Sequence, residues 1–368
     1  MRRISFLYIL VVVILLAGCG KKEEIQNYTA SLKTIWEPQD YYPAYAMSSV
    51  NYYDNSVVFP RRVDQTLVFV FADLKDGSDI RTITVPGGDG PGQIIGFQAI
   101  DVRDGKVAIF DPGKAKICLY DTAGKFIDDY FLDTEIGLPM TSTTHEGYLY
   151  VNGKIKNKLV KFDLKNNKIV KSLTYDQFKD VPENGDTFQG GLVQFDPFSK
   201  TLFLGYYAKP FRLEQYDTDL NLIRTYTSDT FDEHSLCQWC ITKSNLITQD
   251  GDRIIAGIAF DETYIYASYG GGYEYTGDES GNGKTFNYRE APVKVMAFRR
   301  SDNSFVGTIT IDKIPEIQGF IRLLHADPEK LVFQFSDKSG SVDKAMGRPR
   351  PEDSFRTFAI ATTDNPLY

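Results

Sequence analysis

The sequence predicts an all-β protein: a six-bladed β-propeller of four-stranded antiparallel blades, closed by an N-terminal strand. Three observations predict it. From Tyr28 onward almost no stretch repeats its apolar residues at helical spacing; runs of about four to eight apolar, aromatic and β-branched residues alternate with Gly, Asp, Asn and Pro turns. Tyr (23) and Phe (25) far outnumber Trp (2), a mix that suits strands. One strand–turn–strand pattern recurs six times along the chain, and internal repetition outranks any local signal in deciding a fold.

The clearest copy covers residues 97–132. A strand reaches about Val102, Arg103-Asp104-Gly105-Lys106 turns, and strands follow at 107–110 and 116–120. The turn Asp121-Thr122-Ala123-Gly124 then leads to a last strand at 125–131. The same order returns after His145-Glu146-Gly147 (runs at 148–151, 158–162, 169–173) and after residues 196–200 (201–206, 211–216, 222–226). It returns again after Asp261-Glu262-Thr263 (264–269, 292–298, 304–311). Residues 52–55 precede runs at 56–59, 66–71 and 79–85; Asp327-Pro328-Glu329-Lys330 precedes runs at 331–335 and 354–361. Radial repetition of such sheets protects their edges. The last copy has three strands, and the spare run at 29–36 is expected to pair as the outer strand of the last blade, latching the ring. A β-sandwich or two domains is the alternative, but no linker or composition shift follows Asn27.

The N-terminus carries the strongest targeting signal. Arg2-Arg3, an apolar run at 4–16 and Leu16-Ala17-Gly18-Cys19 form a secretory signal; a membrane span would need about 20 apolar residues. The expected division is a signal peptide at 1–18, a polar tether at 19–27 and a propeller at 28–368. Leu16-Ala17-Gly18-Cys19 resembles the bacterial lipobox, which implies acylation of Cys19 and attachment to the membrane through lipid chains. Lys22-Glu23-Glu24 is similar, one position out of register, to the Lys-acidic-acidic export signal of Bacteroidota surface lipoproteins, and Gly20 is not the Asp of inner-membrane retention. These likenesses imply an outer-membrane lipoprotein, periplasmic or surface-exposed.

Two internal stretches carry a family resemblance. Residues 107–127 resemble an NHL-type repeat, with a strand, an Asp-x-x-x-x-Lys-Ile link from Asp111 to Ile117, and an Asp-x-x-Gly-Lys-Phe turn from Asp121 to Phe126. Gly88-Asp89-Gly90-Pro91-Gly92-Gln93 resembles the Gly-x-Gly-Pro-Gly-Glu signature of TolB-like six-bladed propeller lipoproteins of Bacteroidota, with Gln93 in place of Glu. The resemblance implies architecture and address rather than chemistry. Gly-His and Trp-Asp pairs of a WD40 ring are missing from the repeats.

Charge and chemistry narrow the function. Formal charge is −8 and the signal segment is basic, so the body is more acidic still and repels nucleic acid. Residues 87–92 lack the Lys-Ser/Thr and the helix that a phosphate loop needs, and read as an inter-blade turn. His234-x-x-Cys237-Gln238-Trp239-Cys240 is the one compact soft-ligand cluster; with no second Cys pair it reads as a local disulfide or two quiet thiols, and no metal or cofactor is expected. Cys118 reads as a small core residue, and His145 and His325, beside turns, as surface residues. Loops joining second to third strands, and successive blades, share one face and vary in length. Residues 270–291, 337–353, 174–189 and 228–246 are long, and long loops in a compact domain are commonly functional. Tyr273, Tyr275, Trp239, Arg348 and Arg350 on them are the expected partner contacts, since Tyr and Trp give broad contact area and Arg directional donors.

The expected function is therefore a non-enzymatic binding module for a protein or glycan partner. The alternative is a metal-dependent hydrolase or lactonase at the channel mouth, built from carboxylates of several blades. Replacing Cys19 by Ala is expected to leave the exported protein unlipidated and soluble; membrane attachment persisting on fractionation would refute the anchor.

Overall fold

The computed structural model describes residues 25–36, 50–63, 66–97, 99–132, 139–153, 157–174, 191–206, 211–227, 238–241, 247–252, 257–269, 272–276, 285–289, 293–312, 319–337 and 358–368. These residues are strands and turns, with no helix among them.

Two strands open the chain, β1 (Gln26–Ser31) and β2 (Lys33–Trp36). Blade 1 then runs from axis to rim as β3 (Asn51–Tyr53), β4 (Ser56–Val63), β5 (Thr66–Asp73) and β6 (Asp79–Val85). Blade 2 is β7 (Ala99–Arg103), β8 (Lys106–Asp111), β9 (Lys116–Asp121) and β10 (Phe126–Phe131). Blade 3 is β11 (Pro139–His145), β12 (Tyr148–Gly153), β13 (Asn157–Asp163) and β14 (Lys168–Thr174). Blade 4 is β15 (Gly191–Asp196), β16 (Thr201–Tyr206), β17 (Leu213–Tyr216) and β18 (Leu222–Tyr226). A small accessory sheet interrupts the next blade: β19 (Gln238–Ile241), β20 (Ile247–Asp252), β23 (Gly272–Thr276) and β24 (Thr285–Arg289). Blade 5 is β21 (Gly257–Phe260), β22 (Tyr264–Tyr269), β25 (Val293–Arg299) and β26 (Phe305–Asp312); blade 6 is β27 (Gly319–Ala326), β28 (Lys330–Asp337) and β29 (Phe358–Asp364). The six innermost strands touch in a closed cycle, β3–β7–β11–β15–β21–β27 and back to β3. That cycle is the propeller the repeats predict.

Each seam between blades buries its own hydrophobic cluster, and strand alternation divides the residues between seams. In β8, Val107 and Ile109 pack toward blade 1 while Ala108 and Phe110 pack toward blade 3. A strand buried on both faces needs apolar residues at consecutive positions, which is why the central strands read as continuous apolar runs. Each seam also carries a polar tie close to the axis. Asn51 Nδ2 donates to the Ile100 carbonyl, and the Thr144 N–H and hydroxyl donate to Asp101. The Thr141 hydroxyl donates to the Gly191 carbonyl and accepts from the Val193 N–H. Arg300 grips Asp196 with two hydrogen bonds of 2.6 and 2.8 Å, the Leu323 N–H donates to the Ser268 hydroxyl, and Arg322 donates to the Val50 carbonyl.

The latch differs from expectation in one respect. β2 pairs antiparallel with β29 and is the outer strand of blade 6, as expected for the end of the 29–36 run. Its first half belongs elsewhere: β1 adds in parallel to β26, making blade 5 five-stranded, and it starts at Gln26, inside the stretch read as tether. The physical reason lies in Gly307, where a Cβ would sit 2.0 Å from the Gln26 carbonyl oxygen; only glycine leaves room for that extra strand. A single continuous segment thus straps two neighbouring blades.

Trp36 ends the strap. Its ring packs against Phe59 of blade 1 at 5.9 Å, and its Nε1–H donates to the Leu74 carbonyl at 3.1 Å. Gly77, at φ +73°, provides the close approach, since a Cβ there would lie 2.6 Å from the indole. The indole therefore closes the last blade onto the first within the cluster of Val57, Val70, Val332 and Ile360.

The glycine-rich turn between blades 1 and 2 is structural, as its reading predicted. Gly88 and Gly92 adopt φ +136° and +69°. Gln93 Oε1 accepts from the Gly90 N–H at 2.8 Å, Asp129 accepts from the Gly92 N–H at 2.9 Å, and the Tyr120 hydroxyl donates to the Gly92 carbonyl. Asp129 is in turn held by the buried Lys116 ammonium at 2.9 Å. The amides at Gly90 and Gly92 that an anion would seek are committed to these acceptors. The oxygen of Gln93 performs the accepting role that a Glu carboxylate would. Cys118 lies fully buried beneath this clasp, and burial pushes its thiol up to about 12.

Replacing Trp36 by Ala is expected to cost about 3–5 kcal/mol of stability. Equilibrium urea unfolding measures it, and a loss below about 1 kcal/mol would mean that the strap does not close the ring.

Candidate functional site

The turns joining first to second strands gather around the axis on one face. In blades 1, 2 and 3 they are two-residue turns with positive φ at both positions: Asp54-Asn55, Asp104-Gly105 and Glu146-Gly147. That geometry matches the twist of a hairpin and favours Asp, Asn and Gly. In blades 4, 5 and 6 an aspartate at or just after the end of the inner strand caps the turn instead. Asp196 accepts from the Phe198 N–H, Asp261 from those of Thr263 and Tyr264, and Asp327 from those of Glu329 and Lys330. Both solutions set a carboxylate at every turn.

The turns of blades 1, 2, 4, 5 and 6, with the inner-strand ends beside them, line a cavity of about 750 Å³. Two aromatic–histidine stacks stand at this end of the ring. Tyr52 of blade 1 lies face to face with His325 of blade 6 at 3.8 Å, and Phe195 of blade 4 with His145 of blade 3 at 3.9 Å. Reading the two histidines as surface residues is thus corrected. Both are largely covered, because the inner strands converge at the axis and bring each ring onto a neighbouring blade. Sequence distance conceals such pairs.

The electrostatics of the mouth are specific. The His325 Nε2–H donates to Asp327 at 3.1 Å. Burial lowers the His325 pKa, and the Asp327 carboxylate only partly offsets it, so the ring stays neutral at pH 7. Burial would raise Asp327, but the N–H groups of Lys330 and Glu329 and the His325 ring outweigh it and hold the carboxyl below its ordinary range. Burial, with the Asp327 and Asp54 charges, pushes the Tyr52 phenol up to about 12. Arg103 pairs with Asp101 at 3.8 Å and lies over the Phe195 ring at 5.2 Å. Arg300, gripped by Asp196, lies over Phe198 at 5.2 Å and Phe260 at 5.7 Å. Phe198 itself is 49% exposed at the rim. Among the described residues, no three His, Cys, Asp or Glu side chains are placed to hold a metal ion.

A second cluster of titratable groups lies between blades 3 and 4. Glu214 accepts from the Tyr206 and Tyr216 hydroxyls at 2.6 and 2.5 Å and pairs with Lys158 at 2.7 Å. Glu214 and both tyrosines are buried and mutually bonded, and they tie the two blades together.

The residues singled out from sequence fall on the opposite face or beyond the described chain. Cys19, Cys237, Arg348 and Arg350 lie outside the described residues, and so does the Cys237–Cys240 pairing. Stretches 228–246 and 270–291, read as loops, contain strands of the accessory sheet. β19 pairs with β20, β20 with β23, and β23 with β24. Trp239 stands opposite Gln249, Tyr273 opposite both Gly251 and Tyr288, and Tyr275 opposite Phe286. Strand pairing therefore brings Trp239, Tyr273 and Tyr275, from two separate insertions, into one sheet. The cavity residues were missed because each is an ordinary residue at an inner-strand end or turn of its own blade. The recurrence of an acid at six turns was the readable signal.

Comparison with known proteins agrees on the architecture. The family model of DUF5128, described as a 6-bladed beta-propeller, matches residues 36–239, more than half of the chain. A member of the DUF4221 family from Bacteroides vulgatus superposes with a TM-score of 0.58 at 14% identity, covering 94% of this chain and 100% of that one. A presumed exported protein from Bacteroides fragilis superposes with a TM-score of 0.50 at 11% identity, covering 93% and 100%. No curated protein matches the chain by sequence. At such identities the likeness is one of fold.

The lowered His325 pKa has a defined consequence. As pH falls through the ordinary imidazole pKa of about 6.5, the unfolded chain takes up the proton first, so stability is lost on acidification; Asp327, held below its ordinary range, stays ionised there and does not cancel the loss. His325→Gln is expected to flatten the dependence of melting temperature on pH, and an NMR titration to show a midpoint below about 6.5. A midpoint above that value would mean that the carboxylate outweighs burial.

Proposed function

Because the chain belongs to the DUF5128 family of six-bladed β-propellers, we propose that it is a lipid-anchored binding module of the bacterial envelope that recognises a protein or glycan partner. The cavity of about 750 Å³ carries this reading. It falls within the roughly 300–1,000 Å³ of ligand sites, and its stacked rings and separate polar groups suit recognition. The accessory sheet, whose strands carry Trp239, Tyr273 and Tyr275, is the second contact surface of this reading.

The address rests on the lipobox-like residues 16–19, on the Lys22-Glu23-Glu24 segment, and on the presumed exported protein of Bacteroides fragilis that shares the fold. Within the family we place the chain with TolB-like, NHL-like lipoproteins of the outer membrane, on the strength of residues 88–93 and 107–127. With β1 starting at Gln26, a tether from Cys19 reaches at most about 25 Å, so the rim of blade 5 would stay close to the membrane.

Capture from envelope extract tests the reading, with the intact chain compared to Phe198→Ala and to Tyr273→Ala/Tyr275→Ala. A partner lost with Phe198→Ala assigns the cavity, and one lost with the tyrosine pair assigns the accessory sheet. Partners retained equally by both variants would refute both surfaces.

A further inference from the structure

Deepening that reading, on which it rests, we propose that the cavity binds a basic peptide segment of a partner protein, receiving arginine side chains between aromatic walls and turn carboxylates. Three observations point to this occupant.

The first is uncompensated charge. Asp54, Asp104 and Glu262 line the cavity from the turns of blades 1, 2 and 5, and Glu329 lies beside it on the turn of blade 6; all four are exposed and none makes an ion pair among the described residues. The two guanidinium groups nearby do not neutralise them, since Arg103 is committed to Asp101 and Arg300 to Asp196. Five acids and one cation, Arg103, stand on the cavity lining, and a concave surface dominated by one sign of charge focuses its field on an incoming ligand.

The second is independent of the first. The walls already hold guanidinium groups from the chain itself, Arg103 over Phe195 and Arg300 over Phe198 and Phe260. The rings are thus disposed for cation–π contact, and Phe198 remains half exposed. Arginine suits such a site better than lysine because its planar, weakly hydrated group stacks and donates in a fork.

The third concerns spacing. The four carboxylates belong to four blades, and no three of the described acids converge as an ion site. A ligand that satisfies them must carry several positive groups spread along its length, as a basic peptide does and a single metal ion does not.

The test is fluorescence anisotropy with labelled hexa-arginine, hexa-lysine and a neutral Gly-Ser peptide against the full chain. Hexa-arginine is expected to bind, more tightly than hexa-lysine, with an affinity that falls as salt rises. Asp54→Asn/Asp104→Asn/Glu262→Gln/Glu329→Gln is expected to weaken binding on the order of tenfold, and Phe198→Ala to weaken it with every charge retained. Failure of hexa-arginine to bind overturns the proposal. So does a loss confined to the carboxylate variant, which would reveal plain attraction to an acidic surface. A neutral glycan or an uncharged partner captured through the cavity would overturn it as well, while leaving the binding-module reading intact.

Discussion

Closure of the ring is the constraint on which everything else depends. Six sheets around an axis have two free ends, and a ring that opens exposes two apolar blade faces. The chain closes it with its own beginning. β2 completes blade 6, β1 thickens blade 5, and Trp36 sits between the last blade and the first with its indole N–H bonded across the seam. Because the strap spans two blades and reaches a third, loss of any one contact loads the others. Hydrophobic burial supplies the driving force at each seam, while the tie near the axis adds direction. Asn51, Asp101, Thr141, Arg300, Ser268 and Arg322 each reach one neighbouring blade, a different polar solution for each seam.

The same convergence that closes the ring creates the cavity. Inner strands crowd at the axis, so their end residues stack on the next blade: His325 on Tyr52, His145 on Phe195. Polar groups placed there are desolvated, which is why the His325 pKa falls although a carboxylate sits beside it. Hairpin turns prefer Asp, Asn and Gly for reasons of backbone geometry. A ring of hairpins therefore tends to present carboxylates, and a local rule repeated six times becomes an electrostatic property of the whole face.

Legibility differed sharply between elements. The strands of blades 1 to 4 were readable because each is a short run, continuously apolar at the centre of a blade or alternating at its rim, with a turn next to it. The accessory sheet was not, since its strands lie in two insertions and pair only with each other. The strap was half readable: the Lys33–Trp36 pairing follows from a missing fourth strand. The parallel addition of β1 depends on the absent side chain of Gly307, far away in sequence. His145 and His325 illustrate the same limit, being ordinary turn neighbours until the ring brings aromatic partners onto them.

The sequence by itself determined the class of fold, the number of blades, the structural role of the glycine-rich turn and the burial of Cys118. These follow from local periodicity and turn chemistry, repeated often enough to leave one arrangement. Only the tertiary structure decided which blade each half of the strap joins, which end of the ring holds a cavity, and which charges around it stay unpaired. Those properties belong to pairs of residues on different blades, and contact between distant residues is set by the closed ring rather than by any stretch of chain.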